Sequence, residues 1–165
     1  MRHWLISAAC ALLSILGGLA PAASQAGELV KTLQRVTSLQ ADAALSARTR
    51  RPIVILFSLP GCHFCDEVRQ NYLLPLLNEV APADRPILRE MVLTGSQQFA
   101  WFTGEKTSEQ LVAKHYGVRV APSVLMIDAS GVLLVPPVVG GDTSGLYGGY
   151  LSDSLDQATR MIQKR

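Results

Sequence analysis

The length, composition and charge of the chain limit what it can be. Its 165 residues suit one domain rather than two. Fifteen Lys and Arg residues against 13 Asp and Glu residues give a formal net charge of +2 at pH 7, which excludes the strongly basic surface of a typical nucleic-acid-binding protein. We therefore expect one ordinary hydrophobic core and no nucleic-acid partner.

The first 26 residues predict a secretory signal peptide rather than part of the fold. Met1–His3 is a short basic start, Trp4–Leu19 is an almost uncharged apolar run, and Ser24–Ala26 offers small residues where a signal peptidase cleaves. Cleavage a few residues earlier would also fit the pattern. An uncleaved membrane anchor is the alternative, although the apolar run is short for a segment that spans a bilayer. We expect residues 27–165 to form the mature domain and to reside in the periplasm.

Hydrophobic periodicity and turn signals divide the mature chain into alternating helices and strands. In chain order they predict a helix over 38–49, a strand over Ile53–Ser58, a helix that opens at Cys62 and is interrupted at Pro75, a strand over Ile87–Leu93, a loop over Gly95–Glu105, a helix from Thr107 to Tyr116, a strand over Ser123–Asp128, its hairpin partner Val132–Val135, a loop over Pro136–Gly149 and a closing helix that begins within 144–147. Alternation of this kind calls for a central sheet with helices on both faces.

Three of these elements rest on specific patterns. The unbroken, β-branched run of Ile53–Ser58 is typical of a strand buried on both faces. Thr107 with Gln110 three residues later has the pattern of a helix capping box. The closing helix is predicted by apolar residues that share one face, namely Tyr147, Leu151, Leu155, Ala158 and Ile162.

Cys62 and Cys65 carry the chemistry that the sequence predicts. Removal of the signal peptide takes away Cys10, so these two are the cysteines that remain in the mature chain. A disulfide between them would close a loop with only two residues inside it, and short loops gain the least stability from cross-linking. A redox pair is therefore favoured over a structural disulfide.

The position of the pair, after a buried strand and on the first turn of a helix, suits disulfide exchange. The unpaired amides and positive end of a helix favour a thiolate, which is the attacking species. We expect Cys62, at the exposed tip, to attack the disulfide of a partner. Cys65, one turn further and more buried, should then resolve the mixed disulfide.

Metal and haem sites fit the same residues less well. A zinc site needs about four ligands, whereas only His63 and His115 stand beside the two cysteines in the mature chain. Covalent haem attachment would need a histidine where Asp66 stands. We expect no metal and no cofactor. His63 is either a solvated polar residue or an imidazolium that stabilises the adjacent thiolate, and both interpretations stay open.

Four stretches make the chain similar to the thioredoxin superfamily, and the similarity spans roughly residues 40–163. They are Phe57–Cys65, Tyr72–Leu76, Gly104–Thr107 and Tyr116–Pro122. Within the superfamily, the chain most resembles periplasmic thioredoxin-like proteins associated with bacterial sulfur-oxidation clusters. The resemblance implies an α/β thioredoxin-like fold, with a central mixed β-sheet flanked by helices on both faces.

The resemblance also implies roles for Ala121 and Pro122, and it has clear departures. Thioredoxin-like folds place a cis-proline beside the two sulfurs, so Pro122 would pack there and Ala121 would offer its backbone to an extended substrate strand. Leu56 stands where cytoplasmic thioredoxins carry a buried acid, and His63 and Phe64 replace their Gly-Pro pair. The motif therefore does not fix the direction of electron flow.

These observations predict an exported, monomeric thiol:disulfide oxidoreductase that acts on protein thiols and disulfides. The resemblance favours a reductase that receives electrons from a membrane partner of the thiol-transfer type. Two alternatives remain, a disulfide oxidase or isomerase, and a non-catalytic module that senses redox state or docks a regulatory partner.

Overall fold

A computed structural model describes residues 29–164, so the predicted signal peptide lies outside the described residues. In chain order the elements are α1 (Leu39–Thr49), β1 (Ile53–Ser58), α2 (His63–Glu67), a π-helical segment (Val68–Leu73, the π segment), α3 (Leu74–Asn78), β2 (Ile87–Val92), β3 (Gln98–Ala100), β4 (Lys106–Ser108), α4 (Glu109–His115), β5 (Ser123–Ile127), β6 (Val138–Val139) and α5 (Tyr147–Gln163). Over this part of the chain, no helix combines the length and apolarity needed to cross a membrane.

The central sheet has four strands in the order β2-β1-β5-β6. β1 runs parallel to β2 and antiparallel to β5, and β6 pairs antiparallel with β5 at the edge. β3 and β4 form a separate antiparallel hairpin. The predicted mixed sheet is therefore confirmed.

The two faces of the sheet bury separate hydrophobic clusters. Side chains along β1 alternate between them, because Val54 and Leu56 belong to one cluster and Ile55 and Phe57 to the other. The π segment, α3 and α5 contribute to the first cluster, and α1 and α4 contribute to the second. Every residue of β1 is buried, as the unbroken apolar run predicts.

Several helix predictions are confirmed in detail. The helix predicted over 38–49 is present as α1, and Ser38 is its N-cap, since its hydroxyl oxygen accepts a bond from the backbone N–H of Ala41 at 3.0 Å. On α5, the predicted face is the buried one, with Leu155 partly buried beside the four buried residues. The helix that opens after Cys62 is interrupted by the π segment, and α3 restarts with Pro75 in its first turn, where a missing N–H costs no hydrogen bond.

The predicted loop Gly95–Glu105 and the predicted helix start at Thr107 are wrong. β3 lies inside the loop, and Thr107 lies in β4 opposite Phe99, so α4 begins only at Glu109. The side chain of Gln110 donates to the carbonyl oxygen of Thr94 at 2.8 Å, and no capping box forms. Pairing with β3, anchored by the buried Phe99, outweighs the local helix signal.

The predicted returning strand Val132–Val135 is right in direction and wrong in extent. Only Leu133 forms an antiparallel bridge, to Ile127. Regular pairing resumes in β6, after Pro136 and Pro137. Proline has no N–H to donate to a ladder, so the two prolines separate the bridge from β6.

Candidate redox site

Cys62 and Cys65 lie where β1 leads into α2. Gly61 turns the chain with a φ of +69°, a conformation that glycine adopts without strain. The sulfur atoms are bonded at 2.15 Å, with the two Cα atoms 5.2 Å apart. Cys65 is 0% exposed, whereas Cys62 is partly exposed. The predicted difference in exposure between the two cysteines is therefore present.

The first turn of α2 provides a hydrogen-bond donor for the outer sulfur. Cys62 is the N-cap residue of the helix, and the backbone N–H of Cys65 donates to its Sγ at 3.2 Å. The carbonyl oxygen of Cys62 accepts from the N–H of Asp66 at 3.1 Å, which starts the helical ladder. An N–H directed at sulfur stabilises a thiolate more than a thiol.

The loop that holds Ala121 and Pro122 lies at the same end of the central strands as the two cysteines. Phe57 near the end of β1 pairs with Ser123 at the start of β5, so the chain before Ser123 emerges beside the turn that leads to the cysteines. The Ala121–Pro122 peptide bond is cis. The N–H of Gly140 donates to the carbonyl oxygen of Pro122 at 2.9 Å. The roles of Ala121 and Pro122 in substrate binding stay predictions.

Phe64 connects the cysteine motif to the segment that follows β6. A methyl group added to Gly141 would lie 2.5 to 2.7 Å from three side-chain atoms of Phe64, so the ring rests directly on this glycine. Phe64 is still 43% exposed, and its ring centroid is 5.8 Å from that of the exposed His63. This placement is compatible with both interpretations of His63.

Tyr72, in the π segment, forms a hydrogen bond to Asp142, the residue after Gly141. Its hydroxyl donates to Oδ2 of Asp142 at 2.6 Å, and Oδ1 of Asp142 accepts from the N–H of Gly145, also at 2.6 Å. The bond from Tyr72, with those from the backbone, holds the pKa of Asp142 below its ordinary value, although burial opposes the shift. The same bond raises the pKa of Tyr72. Residues 140–142, which follow β6, thus contact the Pro122 loop through Gly140, α2 through Phe64, and the π segment through Tyr72.

A buried polar network joins the two ends of the segment that carries the motif, and no local sequence pattern indicates it. Glu90 on β2 is 8% exposed and accepts bonds from the hydroxyl of Ser58 at 2.5 Å and from the guanidinium of Arg69 at 2.5 and 3.0 Å. Arg69 also pairs with Asp66. The bond to Glu90 is the main cause of a raised pKa for Arg69, which keeps the guanidinium charged.

Comparison with known protein families shows where the chain belongs. Residues 39–143 match the family described as the thioredoxin-like domain. The chain belongs to the thioredoxin-like domain family. No curated protein sequence gives a significant match.

Solved structures of thioredoxin-like proteins share its fold. Thioredoxin f from spinach chloroplast superposes with a TM-score of 0.51 at 17% identity, covering 80% of this chain and 97% of that one. Thioredoxin f2, solved in complex with ferredoxin:thioredoxin reductase, gives 0.51 at 16% identity, covering 81% and 99%. DsbH oxidoreductase gives 0.50 at 18% identity, covering 78% and 88%. The predicted thioredoxin-like fold class is confirmed.

A buried acid, Glu90, lies on the strand next to Leu56. Leu56 is fully buried and apolar, and it pairs in parallel register with Glu90. A cysteine pair at disulfide distance on the first turn of a helix, within a thioredoxin-like domain, is the site of a thiol:disulfide oxidoreductase. The predicted activity class is confirmed to that level.

Proposed function

We propose that this protein is a reductase of disulfides in exported proteins and works in the cell envelope. The observation that carries the exchange chemistry is the asymmetry of the pair, and the choice of the reductase direction rests on the resemblance to periplasmic thioredoxin-like proteins. Cys62 is partly exposed and accepts an N–H bond on its sulfur, while Cys65 is 0% exposed one turn later. An accessible attacking thiolate and a sheltered resolving thiol are what two-step exchange needs.

The exchange conserves atoms and electrons at each step. The thiolate of Cys62 attacks one sulfur of a substrate disulfide, which forms a mixed disulfide and releases the other substrate sulfur as a thiolate that takes up a proton. The thiolate of Cys65 then attacks Sγ of Cys62, and the second substrate thiolate leaves. Two electrons pass to the substrate, and the Cys62–Cys65 disulfide is re-reduced by a dithiol donor, for which we propose a membrane protein of the thiol-transfer type.

Three exposed apolar residues lie in the cysteine motif or beside the Pro122 loop, and we propose that they contact the polypeptide around the substrate cysteines. Phe64, Val120 and Val139 are 43%, 52% and 58% exposed, respectively. Val139 pairs with Ser123, which places it beside Pro122, and Val120 lies two residues before Pro122. Apolar contacts of this kind accept many sequences, which suits a reductase of partly unfolded substrates.

A trapping experiment tests the exchange chemistry and identifies substrates. In Cys65→Ala, the mixed disulfide on Cys62 cannot be resolved, so substrates should stay covalently attached until a reductant is added. The matched control is the Cys62→Ala, Cys65→Ala double variant, which should trap nothing. Proteins attached to the single variant and released by a reductant support exchange through Cys62 in either direction, whereas equal recovery from both variants contradicts it.

An oxidase is the second candidate, because the N–H directed at Cys62 Sγ stabilises the reduced protein. A stabilised reduced form makes the disulfide a stronger oxidant. Acid quenching of cells followed by alkylation distinguishes the two directions. A reductase should be found with Cys62 and Cys65 mainly as thiols, and an oxidase mainly as the disulfide. A non-catalytic sensing module would instead show no turnover of a model protein disulfide.

The location is a separate part of the proposal, and it rests on the basic start, apolar run and small residues of 1–26. The expected mature protein begins at Gly27 and is recovered in the envelope fraction. Intact-mass measurement of the purified native protein checks the cleavage. A mass that includes the apolar run would favour the membrane-anchor alternative.

A further inference from the structure

One buried carboxylate is bonded to both ends of the segment that carries the cysteines. Ser58, the last residue of β1, lies four residues before Cys62, and Arg69 lies four residues after Cys65. Both donate to the carboxylate of Glu90 on the neighbouring strand. We call Ser58, Arg69 and Glu90 the clamp. The strand end, the turn and the first helical turn are thus held against β2 through one side chain.

The charges of the clamp face the helix that presents the motif. Glu90 pairs with Leu56 and lies on the sheet face whose cluster contains Val68, in the π segment. Its partner Arg69 continues to Asp66, which directly follows Cys65 and is 65% exposed at its side chain. Glu90, Arg69 and Asp66 form a charged group next to the cysteine motif. It contains two carboxylates and one guanidinium, so its net charge is −1.

We propose that Arg69 and Glu90 are positioning residues that set the charge balance behind the redox pair, and so tune its equilibrium with thiol partners. The inference rests on the proposed exchange chemistry of Cys62 and Cys65. A negative group disfavours a neighbouring thiolate, and a positive group favours it. The ion pair keeps the buried charge of Glu90 compensated, so the pair of cysteines experiences little of either charge.

The sign of the response separates this role from simple support of the fold. Glu90→Gln keeps the size of the side chain and an oxygen that accepts from Ser58, but it leaves the guanidinium of Arg69 balanced only by Asp66. The net charge of the group rises from −1 to 0, so the thiolate and the reduced protein are favoured. Adding Arg69→Met to Glu90→Gln returns the net charge to −1 and should reverse the shift.

The experiment equilibrates each full-length mature variant with reduced and oxidised glutathione and measures the fraction of the Cys62–Cys65 disulfide. For Glu90→Gln we expect the equilibrium to move toward the dithiol by about tenfold, or about 30 mV for a two-electron couple. The double variant should lie nearer the wild type than Glu90→Gln does. Iodoacetamide reactivity against pH should show a lower apparent pKa for Cys62 in the single variant only.

Asp42 and Arg89 supply the matched control. Arg89 precedes Glu90 on β2 and donates to Oδ2 of the buried Asp42 on α1 at 3.0 Å, so this pair also links β2 to a helix through a buried carboxylate. Its helix carries no cysteine and contributes to the opposite face. Asp42→Asn should lower the stability of the fold without moving the glutathione equilibrium.

The result that would overturn the inference is an equilibrium within twofold of the wild type in Glu90→Gln. A shift of similar size in Asp42→Asn, or a double variant further from the wild type than the single one, would overturn it equally. If Glu90→Gln does not fold, Asp66→Asn makes the same change of charge at the exposed end of the group, and a shift toward the dithiol is then required. Turnover of a model disulfide by the wild type tests the proposed function separately, so the two can fail independently.

Discussion

The two cysteines have the same side chain and different surroundings. Cys62 is the N-cap of α2 and is reached by solvent, whereas Cys65 lies in the first turn of α2 and is fully buried. A thiol that no reagent can reach reacts slowly, whatever its intrinsic reactivity. Exposure and the N–H bond to Cys62 Sγ therefore act in the same direction.

We predict that iodoacetamide labels Cys62 of the reduced protein at least about tenfold faster than Cys65, because reactivity follows thiolate character and access. Timed alkylation with peptide mass mapping measures both rates. The same measurement in 6 M guanidinium is the control, because unfolding removes both differences and the rates should converge. Equal rates in the folded protein would contradict the assigned order of attack.

His63 offers a second prediction at the scale of the residue. If its imidazolium stabilises the thiolate of Cys62, His63→Ala should make the pair more reducing, by about 30 mV for each 1.4 kcal/mol of lost stabilisation. Equilibration of both proteins with a series of glutathione ratios measures the shift. His115→Ala is the control, since His115 is the last residue of α4 and lies outside the cysteine motif. Its ring packs against those of Trp101 and Tyr116. Coincident curves for wild type and His63→Ala would identify His63 as a solvated residue.

Sites formed by residues close together in the sequence can be predicted from local patterns. Sites formed by residues that only the fold brings together cannot. The spacing of Cys62 and Cys65 is local, so their pairing could be predicted. Arg69 and Glu90 are 21 positions apart and meet only because β2 runs parallel to β1 in one particular register. An isolated glutamate in a strand pattern gives no information on its partner, so the clamp could not be predicted.

At the scale of the element, length decides how much could be predicted. The six-residue β1 and the 17-residue α5 have enough residues for a periodic pattern to emerge, and both are found where predicted. β3 and β4 have three residues each and are stabilised mainly by pairing with one another. Such a hairpin depends on tertiary context, which local patterns do not contain.

The contact between Gly141, after β6, and Phe64 in α2 can be tested by substitution. In Gly141→Ala the new methyl group would overlap the ring of Phe64, so the ring or the segment must move, with a loss of about 1–3 kcal/mol in unfolding free energy. Gly149→Ala is the control. It lies in α5 with no atom within 4 Å of an added methyl group, and it should gain up to about 1 kcal/mol from helix propensity.

Urea unfolding of the two variants checks both signs, and a double-mutant cycle assigns the cause. Combined with Phe64→Ala, the Gly141→Ala substitution should cost much less, because the ring that it overlaps is gone. An undiminished loss in the double variant would place the strain elsewhere in the segment.

At the scale of the whole molecule, two central strands bring the parts of the candidate redox site to the same end of the sheet. β1 and β5 are central strands, and the cysteine motif follows one while Pro122 precedes the other. Hydrophobic clusters on both faces fix these two strands relative to each other. If the folded protein stabilises the thiolate of Cys62, thermodynamic linkage requires the reduced form of the fold to gain the same stability.

We predict a redox potential more oxidising than the value of about −270 mV for thioredoxin and less oxidising than about −120 mV, the value for the strongest oxidase. The N–H bond to Cys62 Sγ favours the reduced form, and a stabilised reduced form makes the disulfide a stronger oxidant. Equilibration with glutathione at pH 7 measures the potential. A value at or below that of thioredoxin would contradict the prediction.

The same link predicts how pH should change the stability of the reduced protein relative to the oxidised one. We expect the N–H bond and the helix terminus to lower the pKa of Cys62 in the folded state below the value of about 8.5 for a free cysteine. A lowered pKa contributes stability that is complete above about pH 8.5 and is lost as pH falls through the folded-state pKa. The oxidised protein has no thiol at either position and so serves as its own control. Urea unfolding of both forms between pH 5 and 8.5 should show the reduced form gaining on the oxidised form, by about 1.4 kcal/mol for each unit by which the pKa is lowered. Parallel pH profiles for the two forms would mean that the fold does not stabilise the thiolate, and the preference for attack at Cys62 would then rest on its exposure alone.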